Sequence, residues 1–551
     1  MTLARREYTH DAPPGTDFLD ADGKAHSVHY PMPSDSIHDP LVWKPAYKAA
    51  TYWLGAWWVF WACLPVGALS FIYPALIRDY NMTPVDISRV MGWNGLVLAL
   101  VGFILLPYAS AYGRRPMILL SNLVSKLNPI AGLIWITQTH THRSFLWARN
   151  VYSIGAGAIE FLGLCLAGDL FFTQDAGFWH AIGFASLVLS SNVGAPILGA
   201  FEQRNHGWRN FFWFLAGILI FTQVVFAVFF PETLWHRTNA SSRGEFVSSD
   251  PSGTTAQSEP ETVSHDDEKD DKSPYSPATT DISTVNGLST AQAAIIANVG
   301  KGYPSTAQRY SVFPPRNKQY SVVQNMLDML VLSSFGSIIL FTIWWSAFCG
   351  FLISTGFVAS AIWAAPPYNF GPVAVGCTNI PPTIGIFLGF FVAGPVVDRD
   401  VAQQAKRNNG VREAEMRLRS AIAGGVVAVV GLVIYGIGLE RQWHWSAILI
   451  PGIGLNQFAS AFSVVAISSY ATDVYKQYAL EIGFITTLFK NSWVFGLGYF
   501  MNDLYVRVGP LKMTVLISIP LYAAIVLTVL FLWIGKATRR FSAKFAIMQR
   551  D

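Results

Sequence analysis

Residues 91–116 read MGWNGLVLALVGFILLPYASAYGRRP, a largely apolar run over 91–112 that is closed by Gly113, Arg114 and Arg115. An α-helix rises 1.5 Å per residue, so about 20 apolar residues cross the ~30 Å hydrocarbon core of a bilayer. Paired arginines after such a run are typical of a helix end at the lipid headgroups. The stretch is therefore predicted to be a membrane-spanning helix followed by a tight basic turn.

The same kind of apolar run recurs on both sides of this stretch. We predict further spans over 52–77, 117–138, 146–170, 179–201, 210–231, 333–360, 373–397, 419–439, 445–469, 480–502 and 513–535. The pattern predicts an all-α polytopic membrane protein with twelve transmembrane helices in two six-helix bundles, separated by a polar insert.

The composition excludes several other classes of protein. Charged residues make up 13% of the 551 residues and hydrophobic residues 52%, whereas a soluble domain carries roughly 25% charged residues. That is too little charge to cover the surface of a water-soluble enzyme. The net charge of +4 is small and dispersed, which argues against nucleic-acid binding. The four cysteines show no metal-ligand or disulfide spacing, and the chain has no nucleotide-binding glycine loop, so no metal, cofactor or direct ATP drive is expected.

Polarity and charge predict how the chain is divided. We expect an N-terminal tail (1–50), a first helical bundle (51–232), a central loop (233–327), a second helical bundle (328–536) and a C-terminal tail (537–551). The polar start of the chain is not expected to be a cleavable signal peptide. The central loop has hardly any large apolar side chains from Ser241 to Pro277, so this part is predicted to be disordered. Basic loop residues concentrate on one side, which predicts that both tails and the central loop lie in the cytosol.

The basic turn has a counterpart in the second half of the chain. Gly113, Arg114 and Arg115 follow the second predicted span, and Gly394, Asp398 and Arg399 follow the eighth. Equivalent loops at equivalent places indicate an internal duplication, which is common in secondary transporters.

These loops also carry a resemblance to a known family. Residues 107–116 resemble the signature loop of the major facilitator superfamily, although Ser110 and Ala111 replace its acidic-basic pair and Leu106 replaces its leading glycine. From about 39 to 505, without the insert, the chain is similar to the fungal drug:proton antiporter branch with twelve spans. The matching stretches are Asp39–Trp43, Glu160 with Gly168–Phe172, Gly207–Arg209, Pro231–Leu234, Pro366–Phe370 and Asn408–Leu418.

The resemblance implies a function and a fold. It implies two six-helix bundles that move a small organic molecule by alternating access, with proton-coupled export as the expected activity and the plasma membrane as the expected location. The partners are then a small-molecule substrate, protons and the lipid bilayer, and a monomer is expected. Proton-coupled uptake on the same fold, or a sensor that binds without transporting, are the alternatives. The identity of the substrate stays open.

Small residues in the fifth and eighth spans point to close helix packing. These are Gly183, Gly194, Pro196, Gly199, Gly385 and Gly389. The family fold packs spans five and eight against each other across the two bundles, so a sliding seam is one interpretation. Ordinary helix packing is the other, and it is favoured for Gly183 alone.

Ionisable residues inside a span are costly and are therefore candidates for function. Arg149 and Glu160 lie in the fourth span, about three turns apart on one helical face. The protonation of Glu160 could respond to burial, a nearby cation and substrate, as a proton carrier requires. A structural ion pair or hydrogen bond that fixes the helix is an equally open interpretation.

The remaining charged candidates lie near the cavity or near span ends. Lys490 and Asn491 occupy a position usually held by Arg-Asn in the family. Lys490 is expected either to face the cavity and contact substrate or to pair with Asp473 or Glu481. Lys126 lies near mid-bilayer and is expected to turn inward, with Glu160 as one hypothetical partner. Asp169, Asp473 and Glu481 lie near cytoplasmic span ends, where gating or helix-end roles are expected.

Aromatic residues crowd the first and seventh spans. Most are expected to pack or to lie at the membrane interface. Trp57, Trp345 and Phe348 are weaker candidates for substrate contact, because spans one and seven occupy matching positions in the two bundles.

Overall fold

The computed structural model describes residues 15–18, 33–34, 36–68, 73–116, 129–203, 207–235, 299–310, 321–475 and 478–545. Within these ranges, the side chains at 16–18, 66–68, 73–74, 110, 129–130, 158–165, 173–178, 180–181, 310 and 479–480 are not described. Lys126 and the predicted disordered stretch 241–277 lie outside the described residues.

The described chain is almost entirely helical. The first half contains α1 (Pro45–Ala68), α2 (Tyr73–Tyr80), α3 (Pro84–Tyr112), α4 (Pro129–Thr137), α5 (His142–Leu170), α6 (Thr173–Gln203) and α7 (Gly207–Phe229). Two helices follow before the second half, α8 (Thr306–Tyr310) and α9 (Val322–Leu332). The second half contains α10 (Gly336–Trp363), α11 (Pro372–Cys377), α12 (Ile380–Arg407), α13 (Met416–Glu440), α14 (Trp445–Ile448), α15 (Leu455–Val474), α16 (Ala479–Ile517) and α17 (Ile519–Ser542).

Eight described segments are long and apolar enough to cross a membrane. They are Pro84–Ala109, Ile182–Gln203, Gly207–Phe229, Gly336–Trp363, Pro372–Arg407, Met416–Glu440, Trp445–Val474 and Glu481–Ser542. The last has 62 residues, which at 1.5 Å each would span about 93 Å, or roughly three bilayer cores. Non-helical Gly509, at φ 80°, interrupts it. It is therefore more than one crossing. The total of twelve spans stays a prediction, because 117–128 lie outside the described part.

Local sequence signals explain where several helices begin and end. Thr83 and Asp86 form a capping box at the start of α3, and Gly113, at φ 108°, ends that helix. Pro381 stands in the first turn of α12, where its missing N–H costs nothing. α12 also continues to Arg407, beyond the predicted span 373–397. The predicted span 52–77 falls on two helices, because α1 ends at Ala68 and α2 begins at Tyr73.

The two halves meet along α3 and α16, which run antiparallel. The Asn502 amide donates to the Pro84 carbonyl at 3.1 Å, at the start of α3. The end of α3 at Arg114 therefore lies on the same face of the molecule as the start of α16. We call this the Arg114 face. The opposite side, where Arg209 pairs with Asp79 at 3.1 Å, is the Arg209 face.

The sheet content of the described residues is one short antiparallel pair. Strand β1 (Thr16–Phe18) of the N-terminal tail pairs with β2 (Val411–Glu413), in the turn between α12 and α13. A π-helical turn, Leu449–Gly454, joins α14 to α15 and includes Pro451.

Candidate functional site

Charged side chains at the Arg114 face tie the first half together. The Arg114 Nε donates to Asp169 Oδ2 at 3.1 Å, and both side chains are almost completely buried. The Thr233 hydroxyl contacts the same carboxylate oxygen at 3.3 Å. The Arg115 guanidinium donates to the Ala227 carbonyl at 3.1 Å, near the end of α7. The turn after α3 thus joins the ends of α5 and α7, and Gly113 allows it to form.

Glu232 is a second organising residue of this face. Its carboxylate accepts from the backbone N–H groups of Arg114 (2.9 Å), Arg115 (3.0 Å) and Leu234 (2.8 Å). Residues 114–116 are helical, so Glu232 caps the first turn of the helix that begins at Arg114. Burial raises the pKa of the Glu232 carboxyl above its ordinary value, although these bonds and the Arg114 charge favour the ionised form. In the sequence, Glu232 is recognisable only as part of the matching stretch Pro231–Leu234, which predicts no role for it.

The second half repeats the arrangement. Asp473, at the end of α15, accepts from Arg417 Nε at 2.8 Å and from Arg412 Nη2 at 2.9 Å. Arg417 also reaches Asp398 Oδ1 at 3.1 Å. In both halves, an aspartate that ends one helix pairs with an arginine near the start of another. Arg399 is exposed and lies beside this network, whereas Arg417, which was not singled out from the sequence, is central to it.

Backbone-to-backbone contacts hold the two halves together toward the Arg209 face. A Cβ added at Gly498 would lie 2.6 Å from the Ser88 carbonyl oxygen, and one at Gly92 would lie 2.9 Å from the Phe495 carbonyl oxygen. These distances leave no room for a side chain between α3 and α16. The start of α3 and the middle of α16 are therefore packed as closely as helices can be.

The glycine- and proline-rich end of α6 forms a second tight contact between the halves. A Cβ at Gly199 would lie 2.8 Å from the Pro372 carbonyl oxygen, and one at Gly376 would lie 2.7 Å from the Pro196 nitrogen. Gly194 faces α1 instead, since its added Cβ would lie 2.7 Å from the Leu64 carbonyl oxygen. This contact between α6 and α11, which we call the α6–α11 seam, uses Pro196 and Gly199 from the predicted set.

The structure places the other predicted packing glycines elsewhere. A Cβ at Gly385 would lie 2.3 Å from the Gly454 carbonyl oxygen, and one at Gly389 would lie 2.4 Å from the Phe458 carbonyl oxygen. Both contacts join α12 to the π-helical turn and α15 within the second half. Gly183 is buried on α6, and Gly394 has open space around its added Cβ.

Arg149 lies completely buried inside the first half. Its Nη1 donates to the Pro65 carbonyl at 3.0 Å, near the end of α1, and its guanidinium stands 5.8 Å from the centre of the Tyr152 ring. The Tyr152 hydroxyl in turn donates to the Ala62 carbonyl of α1. Arg149 therefore joins α5 to the exposed carbonyls at the end of α1. The backbone of Glu160 lies on α5, but its side chain is outside the described part.

The second half contributes its own buried polar groups. Lys490 and Asn491 on α16 are each 5% exposed, and Glu481 near the start of the same helix is 8% exposed. Lys490 lies nine residues from Glu481, about 13.5 Å along the helix. The structure thus places Lys490 and Asn491 inside the protein and Glu481 near the Arg114 face.

Several buried polar atoms have no hydrogen-bond partner in the described part of the chain. In the first half they include Trp61 Nε1, Asn150 Oδ1 and Asn192 Nδ2; in the second half, Trp345 Nε1 and Gln457 Oε1. An unpaired buried polar atom costs free energy, so each such atom needs an explanation, which can be an ordered water, an ion, a ligand or local strain. Sequence reasoning missed Asn150, Asn192 and Gln457. Single amides in apolar spans were the available signal.

Trp61, Asn150 and Asn192 of the first half lie at a similar height in the bundle. Arg149, next to Asn150, bonds to Pro65 of α1. Gly194, two residues from Asn192, packs on Leu64 of the same helix. Trp61 lies one turn from these α1 positions. The contacts therefore place Trp61, Asn150 and Asn192 at one height along α1, α5 and α6, which we call the polar layer. Asn192 lies about 200° around α6 from Gly194, so it is not on the face of α6 that packs on α1.

Aromatic rings connect the halves closer to the Arg114 face than this layer. Phe184 of α6 stands 4.8 Å from Trp345 of α10, and Trp345 stands 5.7 Å from Phe348 (ring centres). Trp345 and Phe348 are both buried. Trp57 is 45% exposed and stacks edge-on against Trp61 at 5.5 Å, so its ring lies largely outside the packed core.

Long apolar helices, paired ion networks on one face and close backbone packing between the halves toward the other face characterise a polytopic membrane transporter. The chain belongs to the Major Facilitator Superfamily, whose profile matches residues 56–497. It is a multi-pass membrane transporter and not an enzyme.

Its relatives are fungal transporters. It is 26% identical over 521 residues to an uncharacterised MFS-type transporter of Schizosaccharomyces pombe, covering 88% of this chain and 84% of that protein. It is 25% identical over 508 residues to Protein HOL1 of Saccharomyces cerevisiae, covering 84% and 82%. A probable drug/proton antiporter of the same yeast, YHK8, is 33% identical over 117 residues, 20% of this chain and 21% of that protein.

A solved structure shares the fold. The xylose transporter XylE from E. coli, in a partially occluded inward-open conformation, superposes with a TM-score of 0.54 at 13% identity, covering 89% of this chain and 97% of XylE.

Proposed function

We propose that this transporter exports a small polar organic molecule in exchange for protons. The observation that carries the proposal is the buried polar layer of α1, α5 and α6, in which a fully buried arginine of α5 and unpaired amide groups of α5 and α6 lie at one height inside a membrane protein. Ionisable groups are retained at that depth for function, because their burial is costly.

The chemistry of the layer supports a polar substrate. Asn150 Oδ1 can accept a hydrogen bond, and Asn192 Nδ2 and Trp61 Nε1 can donate one. A substrate with both a donor and an acceptor would satisfy these atoms, whereas a pure hydrocarbon would leave them unpaired. The aromatic rings of Trp345 and Phe348 would cover its apolar part.

Proton exchange is assigned to Glu160. It lies on the same helix as Arg149, about 16.5 Å further along the axis. A carboxyl group at this depth can bind a proton when one face opens and release it when the other opens. The relative named as a probable drug/proton antiporter, which matches 20% of this chain, supports exchange. The close-packed, proline-containing α6 also supports it, because a glycine- and proline-rich fifth span is associated with antiporters in this family.

Export from the cytosol across the plasma membrane is part of the proposal, with the Arg114 face cytosolic. The basic residues Arg114, Arg115, Arg412 and Arg417 gather on that face, as the distribution of positive charge predicts for a cytosolic side.

Uptake with protons is the second candidate. One structural neighbour, XylE bound to 6-bromo-6-deoxy-D-glucose, is described as a proton:xylose symporter, at 13% identity and a TM-score of 0.55. The direction of substrate flux under an imposed pH gradient distinguishes antiport from symport. It is measured with the purified protein in liposomes that are loaded with candidate substrates found by a growth screen. In antiport, the substrate moves in the direction opposite to the protons; in symport, both move in the same direction. Substrate binding without flux would identify a sensor.

Glu160→Gln tests the proton carrier in the same liposomes. We expect gradient-driven flux to fall to background while the variant still inserts and elutes as a single species. Asp503→Asn is the matched control, because Asp503 is an exposed carboxylate paired with exposed Arg507. Undiminished gradient-driven flux in Glu160→Gln would exclude Glu160 as the carrier.

The polar layer has its own test. Asn150→Leu and Asn192→Leu keep the number and branching of the side-chain heavy atoms but remove the unpaired amides. Each is expected to raise KM about tenfold or more for a hydrogen-bonding substrate, as for the loss of a bond worth roughly 1.5 kcal/mol. Unchanged KM in both variants would place the substrate elsewhere.

A further inference from the structure

The N-terminal tail contacts the second half through its backbone. Strand β1 runs antiparallel to β2, with Phe18 opposite Val411 and Asp17 opposite Arg412. Gly15, at φ 84°, packs closely on the end of α15, since its added Cβ would lie 3.2 Å from the Val474 Cα. A left-handed glycine at this point lets the tail approach the helix end without a side chain between them.

Strand β2 is part of the charged network of the Arg114 face. Arg412 pairs with Asp473 at 2.9 Å, and Glu413 pairs with Lys536 at 2.7 Å. Two residues further along, Glu415 accepts from Arg539 Nε at 2.8 Å. The turn that receives β1 therefore carries the ion pairs that connect α13, α15 and α17.

A later part of the tail is anchored to the first half. Trp43 is fully buried, and Lys48 of α1 donates to the Leu41 carbonyl at 2.7 Å. The Lys44 N–H donates to the Gly302 carbonyl at 3.0 Å, so the tail also holds part of the central loop.

This anchor reaches the ion network of the first half. Gln308 donates through Nε2 to the His38 carbonyl at 3.1 Å, and its own carbonyl accepts from the Glu232 N–H at 2.7 Å. Glu232 caps the turn at Arg114. The tail thus contacts the network of the second half directly and that of the first half through Gln308.

We propose that β1 is an autoinhibitory strand, whose pairing with β2 holds the ion pairs of the second half in the arrangement described above and slows the change between the two access states. Alternating access requires the networks of the Arg114 face to rearrange as the halves rock. The hydrogen bonds of a β-strand pair fix the positions of the paired residues relative to each other, so the backbone of the β2 turn cannot change shape freely while β1 is bound. Between Phe18 and Pro33 the chain is long enough to reach roughly 50 Å when extended, so the restraint acts on the β2 turn itself and not through the length of the tail.

The inference depends on the family's alternating access and not on the substrate or direction proposed above. Its test therefore needs no substrate. Spin labels are placed on exposed Lys301, which is docked on the first half, and on exposed Arg407, at the end of α12, in protein with its four native cysteines replaced. Pulsed electron–electron double resonance then gives the distribution of distances between the two labels across the Arg114 face.

Asp17→Pro and Asp17→Ala form the matched pair of variants. Both remove the same side chain, but proline also removes the backbone donor and disrupts the strand. We expect a second distance population at least severalfold larger in Asp17→Pro than in Asp17→Ala. The same distribution in both variants would overturn the proposal.

A cross-link tests the strand register directly. Phe18→Cys with Val411→Cys joins opposed positions and should form a disulfide, whereas Thr16→Cys with Val411→Cys is displaced by two residues and should not. With spin labels attached through thioether bonds, which reduction leaves intact, the disulfide should remove the second distance population and reduction should restore it. Failure of the opposed pair to cross-link, or a distribution insensitive to its reduction, would overturn the proposal independently of any result on Glu160.

Discussion

Asp79 shows how one carboxylate can organise the Arg209 face. It accepts from Trp208 Nε1 at 2.9 Å and pairs with Arg209 at 3.1 Å and Arg78 at 3.1 Å. Partial burial would raise the pKa of Asp79, but the hydrogen bonds from Trp208 and Arg78 and the charges of both arginines outweigh it, so its pKa lies below the ordinary value.

A lowered pKa in the folded protein gives a testable dependence of stability on pH. The ionised Asp79 stabilises the fold above the ordinary pKa of an aspartate, and this contribution is lost as the pH falls through the lowered value. Asp79→Asn is therefore expected to lower the stability by about 1–2 kcal/mol at pH 7. Thermal unfolding in detergent should show this difference shrinking below about pH 4. A difference that stays constant down to pH 3 would contradict the assignment.

Glu232 makes a second prediction about a single residue. Glu232→Ala leaves the N–H groups of Arg114, Arg115 and Leu234 buried without their acceptor. The loss should cost about 2–4 kcal/mol, measured as a lower melting temperature. Glu413→Ala is the control, because Glu413 makes a half-exposed pair with Lys536 and should cost under about 1 kcal/mol. Equal melting temperatures for the two variants would contradict the capping role.

Residues of this kind were hard to predict from the sequence. The arginines after the second span could be singled out because a glycine and paired positive charges mark the turn. Glu232 and Arg417 act through partners far away in sequence, and nothing local distinguishes them from other charges near a helix end.

At the scale of helices, the α6–α11 seam leaves no room for a methyl group. Gly376→Ala would place a Cβ 2.7 Å from the Pro196 nitrogen, a backbone atom that cannot rotate away. The halves must then separate locally, at a cost of about 1–3 kcal/mol. We expect cysteines at exposed positions on the Arg209 face to react severalfold faster with a membrane-impermeant maleimide.

Gly217→Ala is the matched control for this prediction. Gly217 lies on α7, and nothing stands within 4 Å of its added Cβ. Its labelling rate should equal that of the unsubstituted protein. If Gly376→Ala also leaves the rate unchanged, the seam does not close the Arg209 face.

The helices themselves were largely predictable, because hydropathy is a local property of the chain. The runs after 333 and after 419 correspond closely to α10 and α13. The same reasoning placed Gly385 and Gly389 at the contact between halves, where the structure has Gly376 of α11. A glycine that allows close approach looks the same in sequence whichever neighbour it faces, so the choice between α6 and α15 depends on the tertiary fold.

At the scale of the whole molecule, two points of the central loop that are far apart in sequence lie together. Glu232, immediately before the loop, donates its N–H at 2.7 Å to the carbonyl of Gln308, which lies within the loop. Gln308 in turn contacts His38 at the base of the tail. The segment between these anchors therefore leaves and returns at the Arg114 face, and its length is not needed to bridge a gap between the two halves.

Deleting residues 245–285 should therefore leave insertion and folding intact. The stretch has the composition of a chain that buries little apolar surface, and shortening a loop whose ends are already close changes its closure entropy by less than about 1 kcal/mol. Fluorescence-detected size-exclusion chromatography should give one symmetric peak, with a melting temperature within about 3 °C of the full chain. Deleting 299–310 instead removes the contacts to Glu232 and Trp43, and should broaden the peak and lower the melting temperature. Loss of the monodisperse peak in the first deletion would show that the two halves depend on the loop for their assembly.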